Sequence, residues 1–329
     1  METEHNKVNV LNEAHGKDWS IYNADCVDFA SQLPDNCIDF TVYSPPFANL
    51  YIYGDSVADM GNCANNDEFF DQYRFMIREK FRVTVPGRLT AIHCKDLPAY
   101  FGSDGYSGLK DFPGEIIRAH EAEGWKFHSR ITIWKCPVTE RERTNNNGLL
   151  HKTIKRDQSQ NRQGMADYMI IMRKPGTDGL MSDKPIANGG LKEYEGLPEC
   201  DPRVEGSYHP SKYARKKVAA DDSINIWRRY AEPVWWDINQ QDVLNFKIAT
   251  TDKDAKHICP LQLGVIRRSL QMWSLKGDTV WSPFTGIGSE GVCSIEMGRK
   301  FIGTELKPEY FEHAKGYISA AEEKGKELF

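Results

Sequence analysis

The stretch Val280-Trp281-Ser282-Pro283-Phe284-Thr285-Gly286-Ile287-Gly288-Ser289 decides the fold. It begins as a short apolar strand and passes through two glycines into a helix pattern, and glycine lets the backbone approach a ligand closely at such a turn. About 20 positions later Glu305 lies near the end of another short apolar run, where an acid can accept hydrogen bonds from both ribose hydroxyls. The pattern predicts a nucleoside cofactor site, with a dinucleotide site or a plain tight turn as alternatives.

A second motif, Ser44-Pro45-Pro46-Phe47, follows the apolar run 38–43, which is a predicted strand. The carboxyl end of a strand is where open parallel sheets place their ligands. Two consecutive prolines lack N–H donors and hold the backbone extended, so that carbonyl groups point outward as acceptors. The Ser44 hydroxyl and the Pro45 carbonyl can accept hydrogen bonds from a planar NH₂ group, and Phe47 can stack on an extruded base. An isolated Ser-Pro-Pro can also simply end a strand, so the motif gains its meaning from the glycine-rich turn.

Strand and helix patterns alternate on either side of these motifs. Apolar runs bounded by turn residues predict strands at 20–22, 38–43, 88–94, 125–135, 166–174, 279–284 and 300–306. Helical spacing predicts helices at 69–85, 113–124, 259–275, 291–297 and from 308 onward. The order predicts an α/β fold with a mostly parallel twisted sheet and helices on both faces. The segment 175–231 loses this pattern and predicts loops in a small inserted recognition region.

Composition excludes several classes of protein. The net charge of −5 argues against a protein that coats nucleic acid over its whole surface, although a basic cleft on an acidic body stays compatible with it. The eight cysteines form no Cys-x-x-Cys pair, so no metal site or disulfide framework is predicted. The polar N-terminus and the lack of an apolar run of about 20 residues predict a soluble, cytoplasmic protein without a membrane span. Lone histidines such as His120 are expected at the surface.

Together the two motifs resemble the β-class S-adenosylmethionine-dependent DNA amino-methyltransferases, in which the catalytic half precedes the cofactor-binding half. Residues 23–26 and 33–35 match the family's segment before the catalytic tetrapeptide, and residues 257–261 match its segment before the glycine-rich turn. The likeness implies a Rossmann-like methyltransferase fold. It further implies an N-terminal extension at 1–18, a catalytic half at 19–174, an inserted target-recognition region at 175–231 and a cofactor-binding half at 232–329.

The resemblance also implies the chemistry. The exocyclic amine of a flipped cytosine (N4) or adenine (N6) would attack the methyl group of S-adenosylmethionine in line, without a covalent enzyme intermediate. Ser44 leans towards cytosine, since adenine enzymes mostly have Asp there, and Ser282 stands where the family usually has Asp. The implied catalytic residues are Ser44, Pro45, Pro46 and Phe47. The implied cofactor-binding residues are Asp25, His257, Pro260, Leu261, Ser282, Phe284, Gly286, Gly288 and Glu305.

Basic residues between the two motifs are the candidates for contact with DNA phosphates. They are Arg141, Arg143, Lys152, Lys155, Arg156, Arg162, Lys212, Arg215 and Lys216. The expected partner is double-stranded DNA at the nucleoid, with monomer and homodimer both open. Two alternatives stay open as well: a methyltransferase of the same fold that acts on RNA or a protein amide, and a catalytically silent DNA-binding protein. Finally, His93–Asp96 ends a strand and either lines the same cleft or is structural.

Overall fold

The computed structural model describes residues 10–46, 60, 63, 66–144, 149, 151, 154–155, 157, 159, 161–177, 194, 222–245 and 261–327. Strands and helices follow one another along these residues. The strands are β1 (Asn12–His15), β2 (Trp19–Asn23), β3 (Ile38–Tyr43), β4 (Thr84–Lys95), β5 (Leu97–Ala99), β6 (Gly108–Lys110), β7 (Lys126–Ile133), β8 (Asp167–Arg173), β9 (Val234–Trp235), β10 (Thr279–Ser282) and β11 (Lys300–Thr304). The helices are α1 (Cys26–Ser31), α2 (Asn66–Val83), α3 (Phe101–Asp104), α4 (Phe112–Ala122), α5 (Pro137–Thr144), α6 (Asp222–Ala231), α7 (Leu263–Trp273), α8 (Ser289–Glu296) and α9 (Pro308–Glu327). In these ranges no helix is long and apolar enough to span a membrane.

Nine of the described strands form one sheet, in the order β1-β2-β11-β10-β3-β4-β8-β7-β9. The neighbours β2, β11, β10, β3 and β4 run parallel to one another. Strand β8 lies antiparallel between β4 and β7, β9 runs parallel to β7, and β1 is antiparallel to β2 at the other edge. Strands β5 and β6 form a separate antiparallel pair. The predicted mostly parallel sheet is therefore confirmed.

The direction in which the chain builds the sheet reverses between β3 and β10. From β10 the chain passes through α8 to β11 on one side, whereas from β3 it passes through α2 to β4 on the other. Loops that leave two such strands diverge from each other and open a crevice at the carboxyl ends, where open α/β sheets bind ligands. Both motifs follow strands at this point of reversal.

Helices cover both faces of the sheet, because successive residues of its buried strands point to opposite sides. On one face Val42 of β3 belongs to the same buried cluster as Leu270 of α7. On the other face Tyr43 belongs to a cluster with Met76 of α2 and Ile116 of α4. Burial of each large apolar side chain contributes about 1.5–3 kcal/mol to stability. The two clusters fix the height at which each strand ends and so hold the crevice open between rigid walls.

Two predictions from the sequence are wrong. The end of the predicted loop region 175–231 is the helix α6. Its apolar residue Ile226 is buried, so even a segment with weak helical spacing folds onto apolar surface. His120 is fully buried rather than exposed, because it lies on the inner side of α4 among aromatic rings and a lysine.

Candidate functional site

The ends of β3 and β10 bring the two sequence motifs together. The strands are parallel neighbours with Val280 opposite Phe40 and Trp281 opposite Thr41, so both chains leave the sheet at nearly the same height. Just beyond, the rings of Tyr43 and Phe284 lie 5.8 Å apart between centroids. Segments separated by about 240 positions of sequence thus form one surface.

The glycine-rich turn after β10 has the backbone that the sequence predicts. Gly286 and Gly288 have φ of 55° and 99°, a region that favours glycine. A Cβ at Gly288 would lie 3.0 Å from the Cα of Ala314, so this glycine also lets α9 pack closely against the turn. At Gly286 an added Cβ would meet no atom within 4 Å. The backbone there borders open space in the described structure, as a ligand-binding turn requires.

Glu305 holds the turn from the neighbouring strand end. Its Oε2 accepts a hydrogen bond from the Gly286 N–H at 2.7 Å, and its Oε1 accepts one from the Lys307 N–H at 2.9 Å. The Asn23 side chain donates to the carbonyls of Glu305 and Leu306 at 2.8 and 2.9 Å. Because each carboxylate oxygen can accept more than one hydrogen bond, the predicted contact with ribose hydroxyls stays compatible with this geometry.

A second acid, Glu290, lies in the first turn of α8 directly behind the glycines. Burial raises its pKa to about 8, and the nearby charge of Glu305 contributes in the same direction. Glu290 is therefore protonated at neutral pH. The negative charge at this end of the cleft then resides on Glu305.

Three other predicted cofactor residues lie in the described part of the chain. Asp25 is the N-cap of α1, where its Oδ1 accepts hydrogen bonds from the N–H groups of Val27 and Asp28 at 2.8 and 3.0 Å. Burial raises the pKa of Asp25 above its ordinary value. Leu261 and Ser282 are buried, and the Ser282 Oγ has no hydrogen-bond partner among the described residues. A direct cofactor contact of these three residues stays a prediction.

Ser44, at the end of β3, begins a chain of hydrogen-bonded side chains. Its Oγ lies 3.2 Å from His93 Nδ1 and 3.3 Å from the His93 carbonyl oxygen, at the end of β4. The opposite ring nitrogen, His93 Nε2, lies 3.0 Å from Asp167 Oδ2. Lys135 Nζ lies 2.8 Å from the same oxygen. The first residue of the predicted catalytic motif is thus linked to a buried imidazole and a buried ion pair.

Asp167 is the anion of this chain. Burial by itself would raise its pKa, but the hydrogen bond and charge of His93, with the charges of Lys135 and Lys95, hold the pKa well below its usual range. Asp167 is therefore ionised over the whole physiological range. It acts only as a hydrogen-bond acceptor.

A second polar network lies under Tyr43, one residue before Ser44. Lys80 Nζ lies 2.6 Å from the Tyr43 hydroxyl and 2.8 Å from His120 Nε2, and the Tyr43 and Tyr73 hydroxyls are 2.5 Å apart. His120 Nδ1 lies 2.7 Å from the Ile116 carbonyl oxygen, which accepts its hydrogen. Burial lowers the pKa of Lys80 well below its ordinary value and also lowers that of His120. Both bases are therefore held neutral, and they fix Tyr43 against Phe284.

The remaining predicted residues divide into two groups. Arg141 lies on α5, Lys155 is exposed, and Arg162 donates from Nη1 to the Gly108 carbonyl of β6 at 3.1 Å. The others lie outside the described residues or, for Arg143, have a side chain outside them. They are Phe47, His257, Pro260, Arg143, Lys152, Arg156, Lys212, Arg215 and Lys216.

Sequence reasoning missed part of the site. It placed His93 at a strand end without choosing between a cleft position and a structural one, and it did not identify Asp167 or Lys135. Both missed residues flank apolar strands, Asp167 before β8 continues and Lys135 after β7 ends. A charge at the border of a buried strand was the available signal. It pointed to the cleft only once β8 was known to run antiparallel, with its first residue opposite Lys95.

Comparison with known proteins shows likeness to DNA methyltransferases. The family N6_N4_Mtase, described as DNA methylase, matches residues 38–316. Type II methyltransferase M.BamHI of Bacillus amyloliquefaciens is 24% identical over 292 residues, which cover 87% of this chain and 54% of that protein. Type II methyltransferase M.BglI of Bacillus subtilis is 20% identical over 327 residues, which cover 92% of this chain and 86% of that protein. The chain thus spans about half the length of the first relative and most of the second.

Solved structures share the fold. PvuII DNA methyltransferase, which is cytosine-N4-specific, has a TM-score of 0.57 at 15% identity, with 94% of this chain and 92% of that chain covered. A DNA modification methylase of Thermus thermophilus, complexed with S-adenosyl-L-methionine, has a TM-score of 0.55 at 19% identity, with 91% and 93% covered. These neighbours confirm the predicted Rossmann-like methyltransferase fold.

Proposed function

Since the chain belongs to the DNA methylase family N6_N4_Mtase, we propose that it methylates an exocyclic amine of a DNA base, with S-adenosylmethionine as the methyl donor. The observation that carries the proposal is the junction of the two motifs at neighbouring strand ends, where Tyr43 meets Phe284. Transfer between two bound molecules is accelerated chiefly by holding them side by side in the right orientation. A cleft walled by both motifs provides that arrangement.

The end of β3 suits a planar amine. The Ser44 hydroxyl and the Pro45 carbonyl can accept its two hydrogens, and neither Pro45 nor Pro46 has an N–H that would compete for these acceptors. Hydrogen bonds to fixed acceptors draw the nitrogen towards a tetrahedral geometry and make its lone pair available. Phe47 is proposed to stack on the flipped base.

The turn after β10 suits a nucleoside with a methionine chain. Gly286 and Gly288 supply backbone beside open space, and Glu305 is fixed within hydrogen-bond distance of that backbone. S-adenosylmethionine, when bound, supplies an electrophilic methyl group whose bond to sulfur breaks as the new N–C bond forms. The residues proposed to hold it are Asp25, His257, Pro260, Leu261, Ser282, Phe284, Gly286, Gly288 and Glu305.

The finer assignments are part of the same proposal. The target is cytosine N4 or adenine N6, and the serine at the head of the catalytic motif favours cytosine by the family resemblance. The substrate is double-stranded DNA inside the cell, held at its phosphates by the basic residues between the motifs, among them Arg141, Lys155 and Arg162. Residues 19–174 and 232–329 act as the catalytic and cofactor-binding halves of one domain.

Transfer of a labelled methyl group tests the proposal. Purified protein is incubated with methyl-labelled S-adenosylmethionine and, in separate reactions, unmethylated duplex DNA, RNA or a protein mixture, while calorimetry measures cofactor binding. The proposal predicts cofactor binding and label in DNA alone. Label in RNA or protein would change the substrate class. Cofactor binding without transfer to any of the three would indicate a silent relative.

A further inference from the structure

Within the described part of the chain, the hydrogen-bond acceptors around Ser44 all belong to one residue. The Ser44 Oγ lies 3.2 Å from His93 Nδ1 and 3.3 Å from the His93 carbonyl oxygen. His93 and Asp167 are 7% and 5% exposed, so bulk water has little access to the chain from Ser44 to the carboxylate. The orientation of the Ser44 hydroxyl is therefore set by His93.

The partners of the imidazole fix its tautomer. The Asp167 carboxylate can only accept, so the hydrogen of a neutral His93 ring lies on Nε2, 3.0 Å from Oδ2. His93 Nδ1 then carries a lone pair and faces the Ser44 hydroxyl. Ser44 must donate its hydrogen towards His93, and the lone pairs of Oγ are left for another donor. An exocyclic amine that enters the cleft is such a donor.

We propose that His93 orients the Ser44 hydroxyl as an acceptor for the target amine and receives, through Ser44, the proton that the methylated amine releases. The inference rests on the proposed function. When the amine nitrogen gains a methyl group it becomes cationic, and one N–H proton must leave. That proton passes to Ser44 Oγ as the original Ser44 proton passes to His93 Nδ1, so the serine ends as it began. The imidazolium next to Asp167 later releases its proton to solvent.

The charges around His93 suit a temporary proton. Asp167 from β8 and Lys135 from the end of β7 face the ring as an ion pair, and their charges sum to zero. Lys95, two positions along β4, is paired with Glu140 of α5. A proton on His93 therefore adds one positive charge beside a carboxylate at hydrogen-bond distance, which stabilises the imidazolium. His93 is thus a positioning residue that acts on the amine through Ser44.

Two substitutions separate its contributions. In His93→Asn, the shorter amide can still accept from Ser44 but cannot bind a proton. We expect kcat to fall by about 10²-fold, the scale of a lost proton acceptor, with the KM values for DNA and cofactor nearly unchanged. The acid limb of the pH–rate profile disappears in this variant. In Asp167→Asn, the acceptor stays while its charge is lost, and the acid limb moves to lower pH.

Controls keep the result interpretable. His313→Asn, on α9, is the matched control and should retain the wild-type profile. Cofactor binding by calorimetry shows that each variant is folded. Nitrogen-15 NMR of the wild-type ring needs no variant and should show His93 with its hydrogen on Nε2. An Nδ1–H tautomer, or a His93→Asn enzyme with the wild-type profile and kcat within about twofold, would overturn the proposal. If the wild type methylates no DNA, the proposed function and the proton route fail together, and the NMR measurement alone decides whether His93 orients Ser44.

Discussion

Replacing Glu290 with glutamine makes the stability of the protein less dependent on pH. Glu290 is fully enclosed behind the glycine-rich turn, and burial with the nearby charge of Glu305 raises its pKa from 4.5 to about 8. Between these values the unfolded chain releases a proton that the folded chain keeps. The free energy of unfolding of the wild type therefore falls as pH rises through this window. Glutamine has nearly the same shape and does not titrate.

The size of the effect follows from the width of the window. From 4.5 to about 8 is about 3.5 pH units, and each unit corresponds to about 1.4 kcal/mol, so the difference grows to at most roughly 4–5 kcal/mol at pH 8. The prediction is that Glu290→Gln, compared with the wild type, gains several kcal/mol in relative stability between pH 5 and pH 8. Near pH 4.5 the two proteins differ little in pH dependence, because the carboxyl is then largely neutral in both states.

Urea unfolding of both proteins at several pH values from 5 to 8 measures this difference. Glu296→Gln is the matched control, since Glu296 is on the same helix but is part of a partly exposed ion pair with Arg267. The control should follow the wild-type slope. Wild type and Glu290→Gln with parallel dependences, within about 0.5 kcal/mol, would refute the claim that Glu290 is held neutral.

Three further predictions test the rest of the frame. Lys80→Met removes a buried neutral base, so the wild type should gain stability relative to the variant as pH rises from 7 to 9, by up to about 1.4 kcal/mol per pH unit in urea unfolding; an unchanged difference would mean that Lys80 is charged. Gly288→Ala places a Cβ 3.0 Å from the Ala314 Cα at a φ of 99° and should cost about 1–3 kcal/mol and weaken cofactor binding in calorimetry, whereas Gly286→Ala, beside open space, should perturb the packing less; equal effects would contradict the packing argument. Asp25→Ala removes the N-cap of α1 and should lower stability by about 1 kcal/mol in thermal unfolding, while Asp25→Asn keeps an acceptor and most of the stability; an equal loss in both would place the role of Asp25 in its charge.

The sequence contained enough to predict the centre of the fold. The runs around Val42, Val280 and Phe301 are short and apolar, and each ends at a turn, because strands buried on both faces have no polar side to display. The glycines at 286 and 288 marked a turn whose backbone needs positive φ. Adjacent placement of Ser44 and Phe284 then followed from the rule that ligand sites form where the strand order reverses.

The rest depended on tertiary contacts that leave no local pattern. An apolar run such as β8 has the same composition whether it runs parallel or antiparallel, and only its direction brings Asp167 to the cleft. His120 looks like a surface histidine until the helix that carries it packs on Lys80 and Trp125. Buried polar networks of this kind join residues from several elements, so their members are recognisable only after the elements are placed.

Mass spectrometry of nucleosides tests the central claim most directly. Unmethylated duplex DNA is incubated with S-adenosylmethionine and either the wild type or Ser44→Ala, then digested and analysed. The account predicts N4-methylcytosine or N6-methyladenine with the wild type, and a large loss of that product with Ser44→Ala while calorimetric cofactor binding is retained. No methylated base from a wild type that binds the cofactor, or equal product from both proteins, would contradict it.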